Sequence, residues 1–147
     1  MSGHDGPKAH EVSSEARIET VQPEGWATPR GYANGVVARG RTLFVAGQIG
    51  WNAEGTFETD ELAPQFRQAL ANVLAVVEAA GGTATDIVRL TMYCTDLEAY
   101  RGSLREIGAA YRAVLGKHFP AMAMVGVTGL VERRALVEIE ATAVLEP

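Results

Sequence analysis

The sequence predicts an α+β fold in which two helices pack on one face of a mixed sheet. Two long segments repeat apolar residues at helical spacing, and shorter segments around them alternate apolar with polar residues. The patterns run β-β-α-β-α-β-β along the chain, an order that suits helices layered on a sheet. The 147 residues, 47% hydrophobic and 21% charged, suffice for one domain with a sizeable core. They exclude a disordered, collagen-like or coiled-coil chain.

Each element has its own signal. Residues 1–20 are polar and unpatterned and read as a flexible N-terminal tail, ordered only near Arg17 to Thr20, ahead of a single domain over 21–147. Pro23 and Pro29 then break regular structure. Ala33 to Ala38 and Thr42 to Ala46 flank Arg39-Gly40-Arg41 and predict a β-hairpin. A first helix is expected from about Leu62 to Ala80, where Phe66, Leu70, Val73, Leu74 and Val77 share one face and Gly81-Gly82 stops it. Asp86 to Thr95 reads as a strand. Asp96 caps a second helix that runs to about Gly116 with Tyr100, Leu104, Ile107, Tyr111 and Leu115 on its apolar face. After Pro120, Ala121 to Thr128 reads as a strand. Leu136 to Leu145 is the last one, with Glu138 and Glu140 on one face and Val137 and Ile139 on the other. The sheet face left bare by the helices carries Met122, Met124, Glu138 or Glu140, depending on register. A mixed apolar and acidic face suits a symmetric partner.

Charge and composition narrow the function. A net charge of −5 without a basic stripe argues against nucleic acid. No apolar run approaches about 18 residues, so no membrane span is expected. Cys94 is the single cysteine and cannot form an internal disulfide. His4, His10 and His118 lack metal-ligand spacing, so no metal is expected. Met1 to Thr20 has no apolar signal-peptide core, which makes the cytoplasm the expected location.

Five runs then resemble, in order and spacing, segments of the Rid family (reactive intermediate deaminases, also called YjgF-like). They are Thr42-Leu-Phe-Val-Ala-Gly-Gln-Ile-Gly50, Phe66-Arg-Gln-Ala-Leu-Ala-Asn-Val73, Asp86 to Leu97, His118-Phe-Pro-Ala121 and Val137-Glu-Ile-Glu-Ala141. The resemblance spans about Tyr32 to Leu145. It implies a chorismate-mutase-like fold and a homotrimer, with three sheets around a barrel-like core, helices outside and clefts between subunits. It also implies cofactor-free hydrolysis of imines, usually formed from enamines, with release of ammonia.

Hydrolysing a carboxylate-bearing imine needs a cation for the carboxylate, a group that positions and deprotonates water, and a wall against bulk solvent. The family's cation is the arginine of a Pro-Ala-Arg run, and here the matching run is Pro120-Ala121-Met122. Charge-assisted hydrogen bonds contribute about 1.5–3 kcal/mol, so the loss weakens carboxylate binding roughly 10- to 100-fold. The expected substrate is therefore an imine or enamine other than 2-aminoacrylate, in a more apolar cleft. The alternative is a metabolite-binding trimer without catalysis. By the resemblance, Glu138 and Tyr32 are the catalytic residues: Glu138 is the water-positioning base, and Tyr32 supplies a cleft wall and a phenol hydroxyl, packing of the N-terminal loop being its competing role. The competing reading of Glu138 is a solvated or intersubunit strand carboxylate. Met122, Met124, Trp51 and Ala46 are the candidate substrate-binding residues; packing is the competing role of the methionines and of Trp51. Ala46 replaces a serine common in the family, and Gln48 reads as structural. Arg133 or Arg134 could replace the lost cation, although a solvated loop pair is the simpler reading. Cys94 reads as a small core residue, and His118 as a complement to the helix dipole.

Overall fold

The computed structural model describes residues 16–147. Strands β1 (Ile18–Val21) and β2 (Gly35–Ala38) form a small antiparallel sheet. Strands β3 (Arg41–Ile49), β4 (Ile87–Cys94), β5 (Ala121–Gly126) and β6 (Val137–Leu145) form the main sheet in the order β3-β6-β4-β5. Only the β4–β5 pair in it is parallel. Helices α1 (Leu62–Ala79), α2 (Leu97–Gly102) and α3 (Leu104–Leu115) complete the α+β architecture, with α1 and α3 packed together and α1 lying on β3 and β6.

The helix-facing side is the core. On β6, Val137, Ile139, Ala141 and Ala143 are buried, and Leu90, Met92 and Cys94 match them from β4. Helix α1 meets this layer with Phe66, Leu70, Val73 and Val77 at the expected spacing. Gln65 is fully buried among them. Its amide donates to the carbonyls of Thr59 (3.1 Å) and Arg134 (3.0 Å), and its oxygen accepts the Leu136 N–H (2.8 Å). A buried amide is tolerated because its bonds are made.

Three expectations change. The hairpin between residues 33 and 46 is absent: β2 pairs with β1, while β3 pairs with β6 from Arg41↔Leu145 to Ile49↔Glu138. Gly40 is the cause. It sits at φ 146°, and a Cβ there would lie 1.8 Å from the Leu145 carbonyl oxygen. The chain crosses the end of β6 at this point, so β3 runs along β6 and not back along β2. The second helix is broken at Ser103 (φ −120°, ψ 17°) into α2 and α3, which leaves Leu104 56% exposed. Asp96 still caps α2, accepting the Ala99 N–H at 3.0 Å. Finally, the expected tail boundary at residue 20 falls inside β1, which Arg17 ties to the core by donating to the Val144 carbonyl (2.6 Å) and pairing with Asp86. Residues 1–15 of the expected tail lie outside the described residues.

Among the described residues, no helix covers the opposite side of the main sheet. Phe44, Thr91, Tyr93, Glu138, Glu140 and Thr142 point to it, and Phe44 is 80% exposed. Met122 and Met124 are paired with Leu90 and Met92, which puts both on the helix side. Of the alternatives that register left open for the bare face, the two glutamates are there and the two methionines are on the helix side.

Candidate functional site

Glu138 stands on the bare face of β6, half-buried. A bulge in β3 shapes the space around it: the pairing with β6 jumps between Val45 and Gln48. Gly47 lies in that bulge, and a Cβ there would come within 2.5 Å of Glu138 Oε1. The carboxylate occupies room that only glycine leaves. Around it opens a cavity of about 340 Å³, whose walls include Gln48, Trp51, Val131 and Glu132. Trp51 packs at 6.0 Å against Phe57, and Arg134 lies 5.2 Å over the Phe57 ring while pairing with Asp60 at 2.9 Å. Arg134 is thus engaged away from Glu138. Arg133 is exposed and lines neither this cavity nor the one described below. Gln48 donates to the Ala46 carbonyl at 3.1 Å, and Ala46 sits in the bulge without reaching either cavity.

Beside Glu138 is a pair that sequence reasoning missed. The Tyr93 hydroxyl donates to Glu140 Oε1 at 2.8 Å, and Tyr93 is the β4 partner of Glu138. The bond to a carboxylate raises the Tyr93 pKa above its ordinary value. The alternation of β4 could have placed Tyr93 on the bare face, because Leu90, Met92 and Cys94 belong to the other.

Met122 belongs to a different cavity, of about 430 Å³, on the helix side at the β5 edge. Met92, Phe66, Tyr100, Tyr111 and Phe119 make its apolar wall, and Arg30, Gly31 and Arg112 also line it. Tyr111 stacks on Phe119 (5.3 Å, 9°) and donates to the His118 carbonyl at 2.5 Å. Burial pushes its phenol far above the ordinary tyrosine range. The His118 ring lies 2.7 Å from the Ile87 carbonyl, tying the end of α3 to β4. Met124 packs on the core and does not line the cavity. Tyr32 is 42% exposed and lines neither cavity. It adjoins the Met122 cavity through Ala33, whose N–H donates to the Pro120 carbonyl at 3.0 Å and which bridges to Ala121. Cys94 is buried, its Sγ donating to the Asp96 carbonyl at 3.3 Å, and burial raises its thiol pKa. Such a thiol is a poor nucleophile.

Within one chain, then, Glu138 and Trp51 share a cavity, Met122 lines another on the far side of the sheet, and Tyr32, Ala46 and Met124 line neither. Arg30, Arg112 and Gly47 had no signal of their own in the sequence: the first two converge only through the fold, and the third matters only because of the bulge.

Comparison with known proteins places this arrangement. Residues 25–145 match the family described as endoribonuclease L-PSP. The 2-iminobutanoate/2-iminopropanoate deaminase of Escherichia coli is 37% identical over 108 residues, covering 71% of this chain and 80% of that protein. The structure of the Rid-family protein YyfB from Yersinia pestis superposes with a TM-score of 0.79 at 36% identity, over 88% of this chain and all of that one. Escherichia coli TdcF with bound serine gives a TM-score of 0.63 at 32% identity, over 90% of this chain and all of that one. The chain therefore belongs to the endoribonuclease L-PSP family, the family of the YjgF and Rid proteins.

Proposed function

We propose that this protein hydrolyses the imine form of a reactive enamine or imine intermediate, one larger than the three- and four-carbon imines named for its relatives. The observation that carries the reading is the carboxylate of Glu138, held over an open cavity by a bulge with a glycine beneath it. Glu138 accepts a proton from water as the water oxygen bonds to the imine carbon. It passes that proton to nitrogen, giving a carbinolamine, then carries the hydroxyl proton to nitrogen as well, so that the C–N bond breaks, ammonia leaves and the carbonyl forms. Trp51 and Val131 line the cavity around the reacting carbon. The deaminase relatives support this chemistry.

The site is completed between copies of the chain. Glu138 lies on one side of the sheet and the Met122 cavity, flanked by Tyr32, on the other, so one copy supplies only half of a cleft. A homotrimer built on the bare sheet faces would bury Phe44 and set Glu138 of one copy against the β5 edge of the next. Phe44 at 80% exposure, on a face that also carries Tyr93 and Thr91, supports such a partner.

Ammonia release from imines generated by an amino-acid oxidase, with semicarbazide trapping what remains, tests the reading. Glu138→Gln keeps the shape and removes the base, and a loss of about 100-fold or more is expected. Silence of the native protein across small, aliphatic and aromatic side chains would end the enzymatic reading. It would favour the second one, a trimer that binds a metabolite without turning it over, for which the specific observation is the uncharged Met122 in the place of the family's arginine.

A further inference from the structure

The cavity behind Met122 has an unusual charge balance for a chain of net charge −5: among the described residues two arginines line it and no acidic side chain does. Neither the Arg30 nor the Arg112 guanidinium has a hydrogen-bond or acidic partner among the described residues, whereas Arg17, Arg101 and Arg134 are all paired. Arg112 is also aimed. It folds back along α3 over Gly108, with Nη1 3.3 Å from where a Cβ of that residue would be. Leu104, Gly108 and Arg112 follow each other at four-residue spacing on the face that lines the cavity, so the missing side chain at 108 makes the bed in which the guanidinium lies. Arg30 approaches from the other side, on the loop that the Ala33–Pro120 hydrogen bond pins beside Met122.

We propose that this cavity binds the carboxylate of an aromatic or long aliphatic 2-imino or 2-oxo acid, with Arg30 and Arg112 taking over the anchoring that an arginine at position 122 would supply. The inference rests on the proposed imine chemistry for the identity of the acid, and on the cavity alone for its size and charge. Moving the cation from β5 to α3 and the Arg30 loop moves the carboxylate outward. The space vacated is apolar: Met122, Met92, Phe66 and the stacked Tyr111–Phe119 pair leave a volume of about 430 Å³. That is within the usual size of small-molecule sites, and a three-carbon acid would leave most of it empty. A thioether at 122 adapts its shape to a ring or a branched chain. The planar forks of the arginines suit the two oxygens of a carboxylate.

Calorimetric titration of the full-length protein with phenylpyruvate, pyruvate and inorganic phosphate tests this, with ammonia release measured in parallel on the corresponding imines. Phenylpyruvate is expected to bind at least about tenfold more tightly than pyruvate or phosphate. Arg112→Gln and Arg30→Gln are each expected to weaken it about five- to tenfold, a range set by partly solvated charge-assisted bonds. Both arginines are exposed, so glutamine at either leaves the core intact. Equal affinity for pyruvate or phosphate, or unchanged binding in both glutamine variants, overturns the proposal. Selective, arginine-dependent binding with no ammonia release upholds it and removes the deaminase reading. Ammonia release that both variants retain in full does the reverse.

Discussion

The two cavities are of similar kind and opposite charge. Among the described residues, the one over the bare sheet face has two carboxylates, Glu138 and Glu132, and no cation; the one behind β5 has two arginines and no acid. Hydrolysis of a carboxylate-bearing imine needs both characters, one to hold the anion and one to move a proton. Keeping them on opposite sides of a sheet prevents Arg30 and Arg112 from neutralising Glu138 within a chain. On the proposed function, each half is completed only by a second copy of the chain, which ties the chemistry to assembly.

Breaking the acidic half is expected to give the largest effect, the loss of about 100-fold or more in ammonia release for Glu138→Gln while phenylpyruvate affinity stays within about twofold. Gly47→Ala reaches the same carboxylate indirectly. The added carbon, 2.5 Å from Oε1, must displace the end of a flexible side chain, so turnover is expected to fall about tenfold with little change in melting temperature. A large loss of stability with unchanged turnover would show that the bulge serves the fold alone. Met122→Arg sharpens the cationic half. It adds a third positive charge and fills part of the apolar space, so the preference for phenylpyruvate over pyruvate is expected to shrink by about tenfold. An unchanged preference would place the acid elsewhere.

The smallest effect belongs to Tyr93. Its folded pKa is raised above the ordinary 10.0 by the bond to Glu140. The protonated phenol is thus favoured by folding: the contribution is complete below about pH 10 and is lost as pH climbs through the folded value. Melting curves of the native protein are expected to drop more steeply on the alkaline side than those of Tyr93→Phe. Parallel curves would mean that the bond does not persist in solution.

Much of the fold was legible because it is local. The helical repeat from Phe66 to Val77 and the alternation of Val137 to Ile139 are periodicities of one segment against one core, and both elements lie within a residue or so of expectation. Partner choice is not local. Nothing in Ala33 to Ala46 states that Gly40 must clear the last carbonyls of a strand some hundred residues later, so a short turn read as a hairpin. The side on which Met122 and Met124 fall depends on the parallel register of β5 with β4, which an alternating strand leaves open. The site divides in the same way. The bare-face position of Glu138 was readable from the alternation of its own strand, whereas Arg30 and Arg112 become neighbours of one cavity only when the N-terminal loop is docked on the β5 edge.

That docking couples two things that are separate in the chain. The loop carrying Arg30 also joins β1 to β2, and its hold on the main sheet includes the Ala33 bridge to Ala121 and the hydrogen bond to Pro120. A ligand that takes Arg30 as one of its contacts therefore binds the docked loop in preference to the undocked one, and by linkage docking raises affinity by the same factor that the ligand raises docking. The small sheet at the start of the domain is then a thermodynamic participant in recognition: what loosens it releases the ligand, and what fills the cavity fastens it.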